Sequence, residues 1–420
     1  MMLLQNARLI DPASGHDGPG DVRIRDGLII EIADGLVPQD DESVHDLAGA
    51  ALAPALIDLR CWTRPGAGGA AGLDATARAA AAGGVGTLVL APDSGGGLSR
   101  PEDFASIETA ALTSPVRMLP AGLAVDADGE MGEIGLMLRA GAALIGDGGA
   151  AIADTRLARR ILAYASTFDA WVSLRAEDHY LSRGTCAHES DLAMRLGLPA
   201  RPGAGERLAV ERGAALCELT GARMIFDRIT TRDGLAALAT ARARGLELAA
   251  SAPITHFIFN EVDAGGFDAR FRLEPPLRGE SDRLALIKAL EDGDIDAVVS
   301  DHRATTGEAK AHPFPEAEPG SANLEALLPA LCTLATDGRL SLLDALRPVT
   351  SGPADLLGLD QGRLEPGAPA DLLVFDPDAP VVYGRAGLAC GSSSAFENRR
   401  LFGKVLITII EGAIIYQPEG

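Results

Sequence analysis

The chain has 420 residues, of which 47% are hydrophobic, and a formal net charge of −22. That length and apolar content suit a barrel of about 250–300 residues with additional structure, and they exclude a disordered chain. The acidity argues against nucleic acid and against an anionic membrane surface, both of which select basic patches.

Residues 1–50 alternate short apolar runs with turn signals: LLQNARLID, DVRIRDGLIIEIA and SVHDLAGAALAP. Arg25-Asp26-Gly27 predicts a hairpin, because Asp-Gly tolerates the positive φ of a type I′ turn. The first residues show no basic segment followed by a long apolar run, and no stretch of 18 apolar residues occurs. A cytoplasmic chain without signal peptide or membrane span is expected. Cys61, Cys186, Cys217, Cys332 and Cys390 form no CxxC pair and read as free thiols of a reducing compartment.

From residue 55 the pattern changes to continuous apolar runs, which indicate strands buried on both faces. They fall at 55–59, 86–92, 116–122, 142–146, 171–175, 222–228, 246–251 and 296–301, separated by Ala/Leu/Arg-rich helical stretches. One such stretch, SDRLALIKALEDG, is predicted to be capped by Ser281-Asp282 and ended by Gly293. Strands alternating with helices in this way predict a (β/α)8 TIM barrel. The C-terminal segments ADLLVFDPDAP and GKVLITIIEGAIIY return to the style of the N-terminus, with a turn at Glu411-Gly412. The expected organisation is therefore a barrel over residues 53–357 and a small β-sandwich built jointly from 1–52 and 358–420.

In such a barrel the chemistry sits where the strands end. A metal-dependent hydrolase needs neutral imidazoles and carboxylates there, and a carboxylate to take a proton from water. IDAVVSDHR, ending at Asp301-His302, reads as the last active-site strand of such an enzyme. The first strand ends Asp58-Leu-Arg60-Cys-Trp62, and neither guanidinium nor indole can ligate a metal. The fourth strand offers Asp147, the fifth Arg175 and Glu177, the sixth Asp227 and Arg228. The mouth should gather Arg60, Arg175 and Arg228 around Asp147 and Asp301, joined by bidentate hydrogen bonds. Three guanidinium groups then supply most of the roughly four positive charges of a metal pair. Two readings compete with this ion-pair network: replacement ligands from His179, His188 or His256, and a hard ion such as Mg2+ on Glu177 and Asp227. His16, His45 and His312 read as surface or loop residues.

Taken with the longer motifs, these strand ends carry a resemblance. Asp58-Leu-Arg-Cys-Trp-Thr-Arg64-Pro-Gly66, Ala91-Pro-Asp93-Ser94, Glu274-Pro-Pro-Leu-Arg278, the run Ala289 to Thr305, Gly320-Ser-Ala-Asn-Leu-Glu325 and Gly367-Ala-Pro-Ala-Asp-Leu372 resemble motifs of the dihydroorotase family of the amidohydrolase superfamily. The likeness spans nearly the whole chain, and the departures fall where the chemistry should be. The resemblance places Arg60, Trp62, Arg175 and Arg228 at the family's metal-binding histidines. It places Asp147 and Asp301 at its remaining metal-ligand positions, Asp301 being the general base. Arg64 matches an arginine that holds the substrate carboxylate. Asp93 and Glu274 replace two asparagines that assist it, and Thr305 replaces a histidine. Arg64 is expected to pair with Asp93.

The resemblance thus implies a dihydroorotase-like protein of pyrimidine biosynthesis that has lost hydrolysis and is expected to hold no cofactor. It further implies a homodimer and a structural partnership with aspartate carbamoyltransferase. Two alternatives stay open: a binuclear zinc enzyme interconverting carbamoyl aspartate and dihydroorotate, and a module whose arginines hold a small anion.

Overall fold

The computed structural model describes residues 1–63, 69–94, 97–384 and 392–418. Eight parallel strands form the barrel: β1 (Leu56–Trp62), β2 (Val85–Leu90), β3 (Arg117–Leu123), β4 (Leu144–Gly146), β5 (Trp171–Arg175), β6 (Arg223–Asp227), β7 (Leu248–Pro253) and β8 (Ala297–Val299). Each lies where an apolar run predicts it. They pair in chain order, from β1 with β2 through to β7 with β8. After β8 the chain passes Ser300 and Asp301 and resumes as a two-residue strand, His302–Arg303, which pairs in parallel with Cys61 and Trp62 of β1. The eighth strand thus returns to the first. Ile57, Leu59, Val89, Ala121, Leu144, Ile225, Ala249, Ala297 and Val299 fill the interior as one apolar cluster. The other faces of the strands pack on the surrounding helices, so both faces are dry, and the strands read as unbroken apolar runs.

The helices follow from amphipathic spacing and caps. In Thr155–Ala165 the buried residues are Ala158, Ile161, Leu162 and Ala165, one face of a 3.6-residue period. Asp154 caps its start by accepting from the Arg156 and Leu157 amides. Glu280–Glu291 departs from expectation at its start. Its N-cap is Gly279 without a side-chain cap, and Ser281 and Asp282 lie inside the first turn. Asp282 instead accepts from the amide of Arg232, 50 residues earlier. Gly293 ends the helix at φ 77, as predicted.

The two termini share one eight-stranded sheet, which includes Met2–Asp11, His16–Arg25, Ala51–Pro54, Leu372–Val382 and Arg400–Ile410. Leu4, Val22 and Ile24 from one end of the chain share a core with Leu372, Val374 and Ile409 from the other. Its hairpins turn at Asp26-Gly27 (φ 51 and 79) and Glu411-Gly412 (φ 49 and 74), at the predicted residues. Among the described residues, no helix is long and apolar enough to cross a membrane.

This sheet docks on the barrel through specific contacts. Thr408 Oγ1 donates to the Ala81 carbonyl at 2.8 Å, and Arg117 of β3 pairs with Asp371 and Glu411. Gly403 (φ 107) lets its strand lie against the helix Leu327–Thr336, where an added Cβ would sit 2.8 Å from Cys332 Sγ. Gly403→Ala should therefore destabilise the protein by about 1–3 kcal/mol through clash and backbone strain. The check is a lower urea midpoint with an unchanged slope.

Candidate functional site

The mouth is built from the strand ends inward. Asp58 on β1 is fully buried and accepts from the Ser300 amide (3.0 Å), the Ser300 hydroxyl and the Arg60 amide (3.2 Å). Burial pushes its carboxyl up to about 7 against these hydrogen bonds. The contact stitches β1 to the residue after β8 and fixes the direction in which Arg60 leaves its strand.

Arg60 and Arg228 then share two carboxylates. Arg60 Nε donates to Asp301 Oδ1 at 3.1 Å, and its Nη1 lies 3.1 Å from Asp227 Oδ2. Arg228 Nε donates to the same Asp227 oxygen at 3.0 Å, and its Nη1 donates to Asp301 Oδ1 at 3.2 Å. The four side chains close a ring of alternating charge across β1, β6 and the end of β8. Both Arg228 (φ 58) and Asp301 (φ 46) adopt left-handed backbone, which L-residues enter at a cost. Burial pushes the Asp227 carboxyl up, but Arg60, Arg228 and Arg175 outweigh it and hold it below the usual carboxylate range.

A second group of charges adjoins the ring. Arg175 Nε lies 3.1 Å from Glu177 Oε1, Nη1 donates to the Gly149 carbonyl at 2.7 Å, and Nη2 reaches Glu274 Oε1 at 3.4 Å. Arg201 grips Glu274 with two nitrogens (2.5 and 3.0 Å) and also donates to Glu177 at 2.8 Å. Desolvation raises the Glu274 pKa, yet Arg201 and Arg175 bring it below the ordinary value.

The expectation for the mouth needs correction at three places. Among the described residues Asp147 makes no side-chain pair with an arginine; its Oδ2 accepts from the backbone amide of Arg175 at 3.0 Å. Asp227, considered above as a carboxylate for a hard ion, is instead the second hub of the ring. Arg201 and its pairing with Glu274 were not anticipated. Glu274 in place of a motif asparagine was the only available signal, and Arg201 lies in no motif.

The other candidates divide. Trp62 donates from its indole to the Asp93 carbonyl at 3.2 Å, and the Arg303 guanidinium stacks 4.3 Å over its ring. Asp93 lines the mouth, and its Oδ1 has no partner among the described residues. Thr305 is buried, and its carbonyl accepts from Ser392. Arg64 lies outside the described residues, as does Cys390. His302 turns away from the mouth, its Nδ1 accepting from the Asn323 and Leu324 amides, and burial lowers its pKa to about 4. His256 is buried between Thr255 and the Pro276 carbonyl, with its pKa lowered to about 3 by burial. His188 contacts Arg278, while His179 does line the mouth with its Nδ1 against the Ala151 carbonyl.

Over the network lies a cavity of about 520 Å³. Its donor set does not suit a pair of divalent ions. Guanidinium and indole have no lone pair for a metal, and Asp227 and Asp301 already face guanidinium groups. Among the described residues, no three His, Cys, Asp or Glu side chains come together in a metal-binding arrangement.

Asp147 makes this electrostatic balance testable. Burial raises its pKa from 3.8 in the unfolded chain to about 7, against the opposing pull of Arg175. Between those values the folded state holds the proton and the unfolded state does not. The stabilisation is full below pH 3.8 and is lost as pH rises through 7. Asp147→Asn keeps an oxygen acceptor and removes the ionisation. Relative to wild type it should gain stability between pH 5 and 8, by at most about 1.4 kcal/mol per pH unit, as read by denaturant melts.

Comparison with known proteins matches the geometry to a family. The dihydro-orotase-like profile covers residues 49–234, and the amidohydrolase family profile covers residues 209–415. A dihydroorotase-like protein of Pseudomonas aeruginosa is 34% identical, with 99% of each chain aligned. A dihydroorotase of Solibacter usitatus is 33% identical over 100% of this chain and 98% of its own. Among solved structures, an L-hydantoinase (dihydropyrimidinase) from Arthrobacter aurescens superposes with a TM-score of 0.89 at 21% identity, covering 100% of this chain and 96% of that one, a likeness of fold. The chain belongs to the dihydroorotase-like family of amidohydrolases.

Proposed function

We propose that the protein is a non-hydrolytic member of its family, a cytoplasmic dihydroorotase-like scaffold that partners aspartate carbamoyltransferase. The ring of Arg60, Asp227, Arg228 and Asp301 carries the first half of this reading. A binuclear amidohydrolase needs metal-bound water and a free carboxylate to deprotonate it. Here Asp301 Oδ1 accepts from two guanidinium groups, and the side chains at the matching histidine positions, Arg60, Trp62, Arg175 and Arg228, are cationic or only donate. Asp93 and Glu274 add carboxylates where an anionic dihydroorotate would have to sit, and like charge opposes it. The partner rests on the resemblance to non-catalytic homologues that accompany the transferase. A barrel kept at full length without its chemistry suits such a role.

Purified protein should contain far less than stoichiometric zinc and should turn over neither dihydroorotate nor carbamoyl aspartate. Tightly held zinc at stoichiometry, together with turnover, would restore the zinc-enzyme reading. Co-expression with aspartate carbamoyltransferase from the same genome should give a complex on size exclusion under native conditions, and two separate peaks would reject the partnership. Placing histidine at Arg60, Trp62, Arg175 and Arg228 together should leave turnover of dihydroorotate undetectable or marginal, since Asp93 and Glu274 remain; efficient hydrolysis by that variant would show that these carboxylates are compatible with substrate.

A further inference from the structure

The mouth holds more cation than its own carboxylates neutralise. Among the described residues, seven arginines line the cavity against four carboxylates, Asp93, Glu177, Glu274 and Asp301, an excess of three positive charges in a chain of net charge −22. Counting Asp227, the buried ring member, and Glu318, which pairs with Arg303 at 3.4 Å, still leaves an excess of one. Cation concentrated in one concavity of an acidic protein focuses its field on whatever enters.

The hydrogen bonds show the same surplus. Arg228 has a side chain only 4% exposed, and it spends Nε and Nη1 on Asp227, Asp301 and the Glu274 carbonyl. Arg228 lines the cavity, and its buried Nη2 has no acceptor among the described residues. Arg272 and Arg303 line the same cavity, and each has a buried Nε without an acceptor. Arg183 also lines it and is exposed to solvent. Buried guanidinium N–H groups are ordinarily satisfied, and among the described residues these three have no acceptor.

We propose that the cavity is a binding site for a small dianion, a phosphoryl group or a dicarboxylate, held by the guanidinium groups of Arg183, Arg228, Arg272 and Arg303 that line it. About 520 Å³ admits a metabolite-sized molecule and no macromolecule. Guanidinium forks match the geometry of both oxyanion types. Asp93, which lines the cavity and whose Oδ1 has no partner among the described residues, gives the site one acceptor. A ligand with a hydroxyl or amino donor beside its charges fits it best. The proposal rests on the non-hydrolytic reading only in needing a mouth without metal.

The test is calorimetric titration of the chelator-treated full chain with inorganic phosphate, malonate and acetate in low-chloride buffer. At least one dianion should bind saturably at one site per chain, at least tenfold more tightly than acetate, and weaken with added NaCl. Arg228→Gln should lose at least tenfold in affinity. Because that change also opens the ring, Arg183→Gln and Arg303→Gln serve as variants at the cavity rim, each weakening binding severalfold, while Arg207→Gln on the outer surface leaves it unchanged. No saturable binding of either dianion, no preference over acetate, or affinity undiminished in the Arg183, Arg228 and Arg303 variants would overturn the site. Phosphate and malonate separate the two ligand sources. Zinc content and turnover are read on untreated protein, so failure here and failure of the non-hydrolytic reading are distinguishable.

Discussion

Two carboxylates converge at the mouth of this barrel, and they have to be neutralised. Asp227 is almost fully buried, and Asp301 lies beside it at the end of β8. Isolated ions of like sign so placed are prohibitively costly in a low dielectric. The chain resolves the problem with its own cations, Arg60 and Arg228, each touching both carboxylates. Once those pairs exist the mouth is committed. Removing any one charge leaves two like charges sharing a single opposite one at the buried mouth, so the four side chains depend on one another.

The backbone is shaped to serve that ring. The eighth strand breaks at Ser300-Asp301, where Asp58 from the first strand accepts the Ser300 amide and hydroxyl. Asp301 takes a left-handed turn there before the chain resumes beside β1. Arg228 takes the same conformation after β6, its amide held by Ser251. Local strain at both positions is offset by the ion pairs their side chains make. The geometry of the seam and the electrostatics of the mouth are therefore one construction.

A barrel of this kind normally uses its rigid strand ends to hold reacting groups. Here the same rigidity holds guanidinium groups, and the outer arginines remain partly unsatisfied over an open cavity. Fixed positive charge stands at these strand ends, matched in part by the carboxylates it pairs with. Shape and field persist, and both are suited to recognition.

Much of the fold was legible in the sequence because its signals are local. Continuous apolar runs marked all eight barrel strands, Asp26-Gly27 and Glu411-Gly412 marked two hairpins, and Gly293 marked a helix end. Residue chemistry alone also determined that Arg60, Trp62, Arg175 and Arg228 cannot ligate a metal. Partners were a different matter. Arg60 meets Asp301 across 241 positions, and Arg201 meets Glu274 across 73. No periodicity encodes which carboxylate each guanidinium reaches, so Asp227 was undervalued and Asp147 assigned a pair it does not make. Likewise Ser281 and Asp282 had cap-like chemistry, while the tertiary structure sent Asp282 to another helix. The sequence determined the elements and that Arg60, Trp62, Arg175 and Arg228 offer no lone pair to a metal. Only barrel closure, which brings distant strand ends within about 3 Å hydrogen-bonding reach, decided how the charges at the mouth are matched.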